Sequence, residues 1–520
     1  MILIPSSQYL RAEIQNEIGK LPPSFCFLQN KRLFTFQLEL LRNNFKNENI
    51  IISLPSDYKI QKSDEASIHS FGAEIYYSSP EISLGHHIAQ IISEENPKSL
   101  KILHGDTLFQ KIPIEDNVVV VSSPHEFADW DSNETSDDSD LVWAGYFSIS
   151  DPLIFLEMIR LNNFLFNKAI NSYSERIPLK QVEINDWYDF GHLESLHKSR
   201  EKFTTERSFN SLLINKYEVK KTSSKILKLN EEYTWFKKMP EHLQKFLPNT
   251  YGYKVQNNYA SYKLNFISGF SLSELMLHSA LNENKWKKII NEINYFFRLQ
   301  VEKLPDNSLD LAKDNIDYIL HKKNLDRIDE IIQSGFISDS EELIIDNYSV
   351  GTIHDLVSWL TEIVLSYDCI PAYCHGDLCL SNMIYLSRSN ILKLIDPRGI
   401  LEDKESAVGD QRYELAKISH SVMWDYDRII AGDVTFIKHK DSFSETTKIP
   451  LNKNQEILKK LLINDEITKL ILRDDIQSLT ALLFISMIPL HADSFEKQIS
   501  LFANGLKICK KIKQKKDLSK

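Results

Sequence analysis

Residues 371–398 read PAYCHGDLCLSNMIYLSRSNILKLIDPR, which places two carboxylates and a carboxamide around a short apolar run. Asp377 stands five residues before Asn382, and Asp396 follows the run NILKLI. Phosphoryl transfer from ATP needs a carboxylate beside the accepting hydroxyl and oxygen ligands for Mg²⁺. Asp377 is therefore the candidate catalytic base, with Asn382 and Asp396 as candidate Mg²⁺ ligands. The alternative is that these polar residues only form turns before a strand.

The motif HGDLCLSN (375–382), followed by LIDPRG (394–399), resembles the catalytic loop of the aminoglycoside phosphotransferase and choline kinase family. The similarity extends over about residues 205–435. It implies Asp377 as the catalytic base, Asn382 and Asp396 as metal ligands, His375 as a structural partner of the loop, and ATP and Mg²⁺ as cofactors. Residues 104–106 also read HGD, but no asparagine follows at the same distance.

The pattern of the second half predicts an α+β, two-lobed fold of the protein-kinase type. Strand-like runs lie in 207–222 and 259–265, and a helix-like run lies in 225–239. Ser271 and Glu274 have the spacing of a helix-capping pair, and much of 285–367 has helical periodicity. We expect a small lobe over 201–268 and a helical lobe over 269–520.

The small lobe has to supply a cation for the nucleotide phosphates. Lys221 is the first candidate, because alternation along the strand puts it on the same face as Val219. Glu232 would be its orienting acid. By resemblance, adenine would lie near Leu264 and Ile267, and residues 207–210 would cover the phosphates, although they contain no glycine. The residues left as alternatives for the ion pair are Lys220, Lys225 and Glu231.

The segment GDQRYELAKISHSVMWDYDRI (409–429) resembles kinase-like proteins of bacterial capsule and surface-polysaccharide loci that are fused to nucleotidyltransferase-like domains. Arg398 and Arg412 are candidate ligands of an anionic substrate, since arginine suits bidentate recognition of phosphate or carboxylate. Internal salt bridges with Asp410 or Glu414 are the alternative.

Residues 1–200 predict an α/β domain with a mainly parallel sheet in three layers. Short apolar runs that end in polar residues alternate with helical patterns at 34–45 and 85–95. The strand-like runs are 2–5, 49–55, 73–79, 100–106 and 117–123.

HGDTLF (104–109), AGYFSI (144–149) and WYDFGH (187–192) follow the order of motifs in sugar-phosphate nucleotidyltransferases, and the domain resembles that family. The resemblance implies Asp106 and Asp189 as Mg²⁺ ligands; the alternative is that they are strand-end residues that cap turns. The first loop, PSSQYLRAE (5–13), lacks the family's glycines, and Pro23 replaces its lysine. We therefore expect a degenerate domain that keeps the fold but has lost nucleotidyl transfer.

Composition narrows the function class. A formal net charge of −11 argues against nucleic-acid binding, and the longest apolar stretch, 479–490, is too short to span a membrane. Five cysteines and no secretory leader favour reduced thiols in the cytoplasm. We expect a phosphotransferase acting on a hydroxyl of a sugar, polyol or amino alcohol in surface-polysaccharide biosynthesis. A bifunctional kinase and nucleotidyltransferase, and a non-catalytic nucleotide-sugar-binding scaffold, are the alternatives.

Overall fold

The computed structural model describes residues 1–28, 30–123, 141–202, 210–214, 217–398, 407–440 and 442–518. The chain divides into two compact units. Unit 1 is Met1–Thr204 with His278–Ala280, and unit 2 is Thr205–Leu277 with Leu281–Lys520.

Unit 1 contains a seven-stranded sheet in the order β10-β8-β9-β6-β1-β4-β5. The strands of the whole unit are β1 (Ile2–Ile4), β2 (Phe27–Leu28), β3 (Lys31–Arg32), β4 (Ile50–Pro55), β5 (Ala73–Ser78), β6 (Leu100–Leu103), β7 (Thr107–Phe109), β8 (Val118–Ser122), β9 (Val142–Ile149), β10 (Lys180–Glu183) and β11 (Trp187–Asp189). Its helices are α1 (Ala12–Ile18), α2 (Leu33–Asn44), α3 (Lys62–Ser70), α4 (Leu84–Glu95), α5 (Pro152–Leu161), α6 (Phe166–Arg176) and α7 (Leu193–Lys202).

Both faces of this sheet are buried, as its apolar strands require. Leu3 and Ile51 belong to a core with residues of α4, α5 and α6 on one face, while Ile4 and Ile52, on the other face, are also fully buried. Four strand pairs are parallel, and β9 is antiparallel to both β6 and β8. The sheet is therefore mixed and mainly parallel, with a layer on each side, and its five expected strands are present.

Unit 2 begins with a four-stranded antiparallel sheet in the order β12-β13-β15-β14, packed against α8. The strands of the unit are β12 (Asn210–Ile214), β13 (Glu218–Ser223), β14 (Thr250–Gln256), β15 (Tyr259–Asn265), β16 (Phe270–Ser271), β17 (Leu343–Ile345), β18 (Tyr348–Gly351), β19 (Pro371–Tyr373), β20 (Met383–Leu386), β21 (Ile391–Leu394), β22 (Val408–Asp410), β23 (Val434–His439) and β24 (Ser442–Lys448).

The rest of unit 2 is mainly helical. Its helices are α8 (Ile226–Lys238), α9 (Leu272–His278), α10 (Glu283–Gln300), α11 (Ser308–Asp317), α12 (Asn324–Gln333), α13 (Ile353–Leu365), α14 (Gln411–Val422), α15 (Tyr426–Ala431), α16 (Lys453–Asn464), α17 (Asp474–Ser486) and α18 (Phe495–Asp517). A π-helical turn, Tyr318–Lys323, joins α11 to α12.

The predicted capping pair is confirmed: Ser271 Oγ accepts from the Glu274 amide (3.2 Å), and the Glu274 carboxylate accepts from the Ser271 amide (3.1 Å). The late sheet β18-β17-β24-β23 was not expected, because its strands alternate only weakly in hydrophobicity. No helix among the described residues is both long enough and apolar enough to cross a membrane. All five cysteines are free thiols.

Candidate active site

The loop between β19 and β20 contains the second HGD motif, and backbone contacts hold it against the segment after β21. Gly376 has φ +77°, and a Cβ there would lie 2.8 Å from the Cβ of Arg398, so both conformation and space favour glycine. The Ile395 amide donates to the Asn382 carbonyl, and the Arg398 amide donates to the His375 carbonyl, each at 3.0 Å. These bonds bring the Asp396 segment alongside the loop.

His375 is a buried, neutral part of this arrangement. Its Nδ1 accepts from the Asp377 amide (3.3 Å), so its Nε2 carries the proton and donates to the Ile395 carbonyl (2.9 Å). Burial lowers the pKa of His375 to about 4. Trp235 packs edge-on against the imidazole and donates its indole N–H to the Cys374 carbonyl (2.7 Å). The geometry fits a structural partner of the loop, the role that the resemblance implied.

The Asp377 carboxylate is held from two sides and open on a third. Lys417 Nζ lies 2.8 Å from Oδ1, and Asn382 Nδ2 donates to the carbonyl (2.9 Å) and to Oδ2 (3.2 Å) of Asp377. The side chain is 40% exposed. Burial alone would raise the pKa of Asp377, but the Lys417 ammonium lowers it below its usual value. An ionised acceptor is thus available to a hydroxyl.

Asn382 and Asp396 offer the oxygen donors expected for Mg²⁺. Both hydrogen bonds of the Asn382 side chain use its amide nitrogen, so the amide oxygen is the atom that could bind a cation. Asp396 has φ +53° and a side chain that is 35% exposed. Among the described residues no three His, Cys, Asp or Glu side chains form a metal-binding group. Two oxygen ligands fit Mg²⁺, which also takes waters and nucleotide phosphates as ligands.

Lys221 contacts both its predicted acid, Glu232, and the candidate Mg²⁺ ligand Asp396. Strand register places Lys221 opposite Tyr262 on one face of the small sheet. Lys221 Nζ lies 2.5 Å from Glu232 Oε1 and 3.0 Å from Asp396 Oδ1, and the Tyr262 hydroxyl donates to Glu232 (2.5 Å). Burial would lower the pKa of Lys221, but Asp396 and Glu232 raise it above its usual value. A buried, charged lysine therefore contacts one of the two candidate Mg²⁺ ligands, Asp396.

The other predicted nucleotide contacts are placed less decisively. Lys220 lies on the opposite face of β13, in register with Lys263. Leu264 follows Tyr262 by two positions and so shares the face of Lys221; it is half-buried, as is Ile267 in the connector. Of the expected phosphate-covering turn, 207–210, residues 207–209 lie outside the described part of the chain.

The two arginines predicted to bind substrate differ. Arg412 is fully buried, 2.6 Å from Asp410 and 3.2 Å from Asp475, so the prediction that it binds substrate is wrong, and the internal ion pair left as an alternative is correct. Its second partner is Asp475 rather than Glu414. Arg398 is half-buried, and its guanidinium lies 5.9 Å from the centre of the Tyr318 ring.

Sequence reasoning missed the roles of Glu414 and Lys417 on helix α14. The Glu414 carboxylate accepts from the amides of His375 (3.1 Å) and Gly376 (2.8 Å), and burial raises its pKa to about 7. Every residue of α14 is buried. The available signal was their spacing of three, which puts both on one face of the helix. Two charged residues on one face of a buried helix need charged or polar partners.

In unit 1, the structure brings Asp106 and Asp189 together. A Cβ at Gly191 would lie 2.4 Å from Asp106 Oδ2 and 3.3 Å from Asp189 Oδ1. Asp189 ends β11 and accepts from the Gly191 amide (2.9 Å) and from His192 Nδ1 (2.7 Å). Asp106 lies in a turn after Leu103 rather than at the end of its strand. Burial, followed by the Asp189 charge, raises the pKa of Asp106 to about 6.

The glycine-free first loop of unit 1 uses part of its polar capacity internally. The Ser6 amide donates to Ser53 Oγ (3.0 Å), and Ser6 Oγ accepts from the amide (2.9 Å) and hydroxyl (2.8 Å) of Ser24. The Leu10 amide donates to the Leu21 carbonyl (3.0 Å). These donors are therefore not free to bind a triphosphate.

No family model and no curated protein matches the chain. Solved structures that are similar include a nucleoside-diphosphate-sugar pyrophosphorylase from Vibrio cholerae RC9, with 11% identity and a TM-score of 0.33, covering 38% of this chain and 99% of the other. The ADP-bound aminoglycoside phosphotransferase APH(2'')-Ib has 14% identity and a TM-score of 0.35, covering 59% and 90%. Aminoglycoside phosphotransferase APH(4)-Ia has 9% identity and a TM-score of 0.37, and the match covers 60% of this chain and 92% of the other. Similarities of this size do not establish a family.

Proposed function

We propose that the chain is an ATP- and Mg²⁺-dependent phosphotransferase that transfers the γ-phosphoryl group of ATP to a hydroxyl of a small molecule. The observation that carries the proposal is the assembly, within unit 2, of Asp377, Asn382 and Asp396 with the Lys221–Glu232 ion pair. Phosphoryl transfer depends mainly on positioning and on charge stabilisation. The contacts among these side chains support the proposal, because they supply a carboxylate, two oxygen ligands and a cation for this chemistry.

Each side chain has a task that follows from its surroundings. Asp377, ionised beside Lys417, orients the accepting hydroxyl and takes its proton as the oxygen attacks the γ-phosphorus. A new O–P bond forms, the bond to the bridging oxygen of ATP breaks, and ADP leaves. Lys221, oriented by Glu232, binds the α- and β-phosphates. Bound to Asn382 and Asp396, Mg²⁺ would neutralise the charge on the β- and γ-phosphate oxygens.

We infer the setting from sequence resemblance. The segment 409–429 resembles kinase-like proteins of bacterial surface-polysaccharide loci, which favours a sugar, polyol or amino alcohol as acceptor and the cytoplasm as the compartment. The internally bonded first loop of unit 1 favours a degenerate nucleotidyltransferase-like domain. The product would then be activated with a nucleotide by another protein.

The experiment is a screen for ADP formation with Mg²⁺·ATP over sugars, polyols, amino alcohols and their phosphates. It compares wild type with Asp377→Ala and Asp106→Ala. We expect turnover that is lost in the first variant and kept in the second. Turnover unchanged by Asp377→Ala would overturn the assignment.

A second function, nucleotidyl transfer in unit 1, is favoured by one observation: Asp106 and Asp189 are adjacent, and the pKa of Asp106 is raised to about 6. Two neighbouring carboxylates attract a divalent cation. The measurement is pyrophosphate release from nucleoside triphosphates with sugar phosphates. Release that survives Asp377→Ala and disappears in Asp106→Ala would establish a bifunctional enzyme. A protein that binds nucleotide-sugars without turnover in either assay would instead be a scaffold.

A further inference from the structure

Three cationic side chains surround one buried phenol next to the catalytic loop. We call Lys323, Arg398 and Lys417, with Tyr413 at their centre, the cationic cluster. Lys323 Nζ lies 3.0 Å from the Tyr413 hydroxyl, and Lys417 Nζ lies 5.9 Å from the centre of the Tyr413 ring. Tyr413 is 3% exposed. Lys417 is buried and Lys323 and Arg398 are half-buried, so none of the three is a fully solvated surface charge.

The cluster adjoins Asp377, the residue that would meet the acceptor. Lys417 contacts the Asp377 carboxylate at 2.8 Å. The Cβ of Arg398 lies against Gly376, which directly precedes Asp377. Lys221 and Glu232 lie beside Asp396, where the nucleotide would bind. Lys221 therefore contacts Asp396, whereas Lys417 of the cluster contacts Asp377.

Among the residues that the structure describes, acidic side chains balance only part of the charge in the cluster. Lys417 pairs with Asp377, but among the described residues neither Lys323 nor Arg398 forms an ion pair with an acid. The pKa of Lys323 is lowered to about 8 by burial and by Arg398 and Lys417. Although burial would raise the pKa of Tyr413, Lys323, Lys417 and Arg398 lower it to about 8. The lowered pKa of the buried Tyr413 phenol indicates a surplus of positive charge around it, which an anion would stabilise.

The backbone supplies an independent observation. Tyr318 and Lys323 are the first and last residues of the π-helical turn between α11 and α12. The ring of Tyr318 lies under the Arg398 guanidinium at 5.9 Å, and Lys323 reaches Tyr413. Single π-helical turns occur often at functional sites, because they re-aim side chains within a helix. Here the turn contributes Lys323 to the cluster and places the Tyr318 ring against Arg398.

We propose that the phosphate acceptor is an alcohol that already carries an anionic group, a phosphate or a carboxylate, which Lys323 and Arg398 bind. The proposal rests on the phosphotransferase function proposed above and names its substrate class. The hydroxyl lies at Asp377 and the anion in the cluster, so that one small molecule reaches both. The product then carries the new phosphate in addition to the original anionic group.

The first arm of the test measures anion binding with calorimetry. The full-length protein is saturated with Mg²⁺ and AMP-PNP, which occupies the nucleotide phosphate sites, and is titrated with inorganic phosphate. We expect saturable binding that is weakened at least about tenfold in both Lys323→Gln and Arg398→Gln, since each removes a charged hydrogen-bond donor. The control is Lys313→Gln, an exposed lysine of α11. Binding that is absent, or equal in all four proteins, would overturn the proposal.

The second arm compares acceptors with wild-type protein, so it does not depend on whether a variant folds. ADP formation is measured with glycerol, glycerol 3-phosphate, glycerate, ribose, ribose 5-phosphate and ethanolamine. We expect the anionic alcohols to exceed their neutral parents by at least about tenfold. Preference for a neutral or cationic alcohol would overturn the anionic acceptor but keep the kinase. Failure to bind Mg²⁺·AMP-PNP would instead overturn the proposed function itself.

Discussion

The tripeptide His-Gly-Asp occurs twice in this chain, and its two copies have opposite electrostatic surroundings. In unit 2, His375 has both ring nitrogens hydrogen-bonded, and the Asp377 carboxylate pairs with Lys417. In unit 1, His104 Nε2 has no hydrogen-bond partner among the described residues, and Asp106 faces another carboxylate, Asp189. The pKa of Asp377 is lowered, whereas that of Asp106 is raised to about 6.

This comparison shows that the neighbours of a motif, and not the motif, decide its chemistry. Gly376 has a positive φ and lets the chain turn back, so that the Glu414 carboxylate accepts from the amides of His375 and Gly376. Gly105 has no positive φ and packs against the Pro5 carbonyl instead. An ionised aspartate in unit 2 suits a catalytic base, whereas the pair in unit 1 suits a bound cation or a proton.

The largest expected effect tests whether the second HGD copy depends on Lys221 of the small lobe for activity. Lys221→Met removes the cation beside Asp396 and should lower turnover by roughly 10²–10³-fold, in the range found when one electrostatic group is removed from an active site. The matched control is Lys220→Met, on the opposite face of the same strand, which should stay within about twofold. Steady-state ADP formation measures both. Equal losses in the two variants would remove the basis for assigning Lys221.

A smaller loss is expected when the catalytic loop loses its anchor on α14. Glu414→Gln replaces one carboxylate oxygen with an amide group that cannot accept from the backbone N–H it faces. The buried N–H is then left without an acceptor, which costs about 1–3 kcal/mol of stability. We expect kcat to fall roughly 10- to 100-fold, because Asp377 would no longer be held in the right position. ADP affinity, measured by calorimetry, should be nearly unchanged. A parallel fall in affinity would show that Glu414 supports the nucleotide site rather than the loop.

Much of the fold followed from the sequence, because periodic segments record which side is buried. The strands and the two helices expected in unit 1 are present, and Ser271 and Glu274 cap α9 as predicted. The sheet β18-β17-β24-β23 was not predictable by the same route, since β23 and β24 leave many side chains exposed or half-buried and so lack clear alternation.

The site was predictable where the side chains lie close in sequence, and not where they come from distant helices. The loop residues Asp377 and Asn382 are five apart, and their contact follows from local spacing. Lys417 and Lys323 lie 40 and 54 residues from Asp377, so only the packing of α14 and of the π-helical turn shows that they are near it. Arg412 was misassigned because its burial follows from packing: besides Asp410, two residues away, it pairs with Asp475, which is 63 residues away.

The electrostatic difference between the two copies can be sharpened through pH. Lys417→Met removes the charge that lowers the pKa of Asp377, and burial then raises that pKa. Because Asp377 must be ionised to accept a proton, the acidic limb of the kcat/KM profile should move to higher pH. Lys417→Arg should keep the wild-type profile. The measurement is ADP formation between pH 5 and 9, and an unshifted limb in Lys417→Met would contradict the role of this ion pair.

The smallest expected effect is on stability: replacing the aspartate of each HGD copy with asparagine should stabilise the first copy and destabilise the second. The pKa of Asp106 rises from its usual 3.8 to about 6 on folding, so its stability contribution is lost as pH rises through this window, and Asp106→Asn should stabilise unit 1 at pH 8 by about 1–3 kcal/mol. The pKa of Asp377 falls on folding, so Asp377→Asn removes a favourable interaction with Lys417 and should destabilise its loop. Hydrogen exchange of peptides from each region in the full chain separates the two effects. Stabilisation by both substitutions would mean that Lys417 does not compensate the Asp377 charge, and the contrast between the two copies would fail.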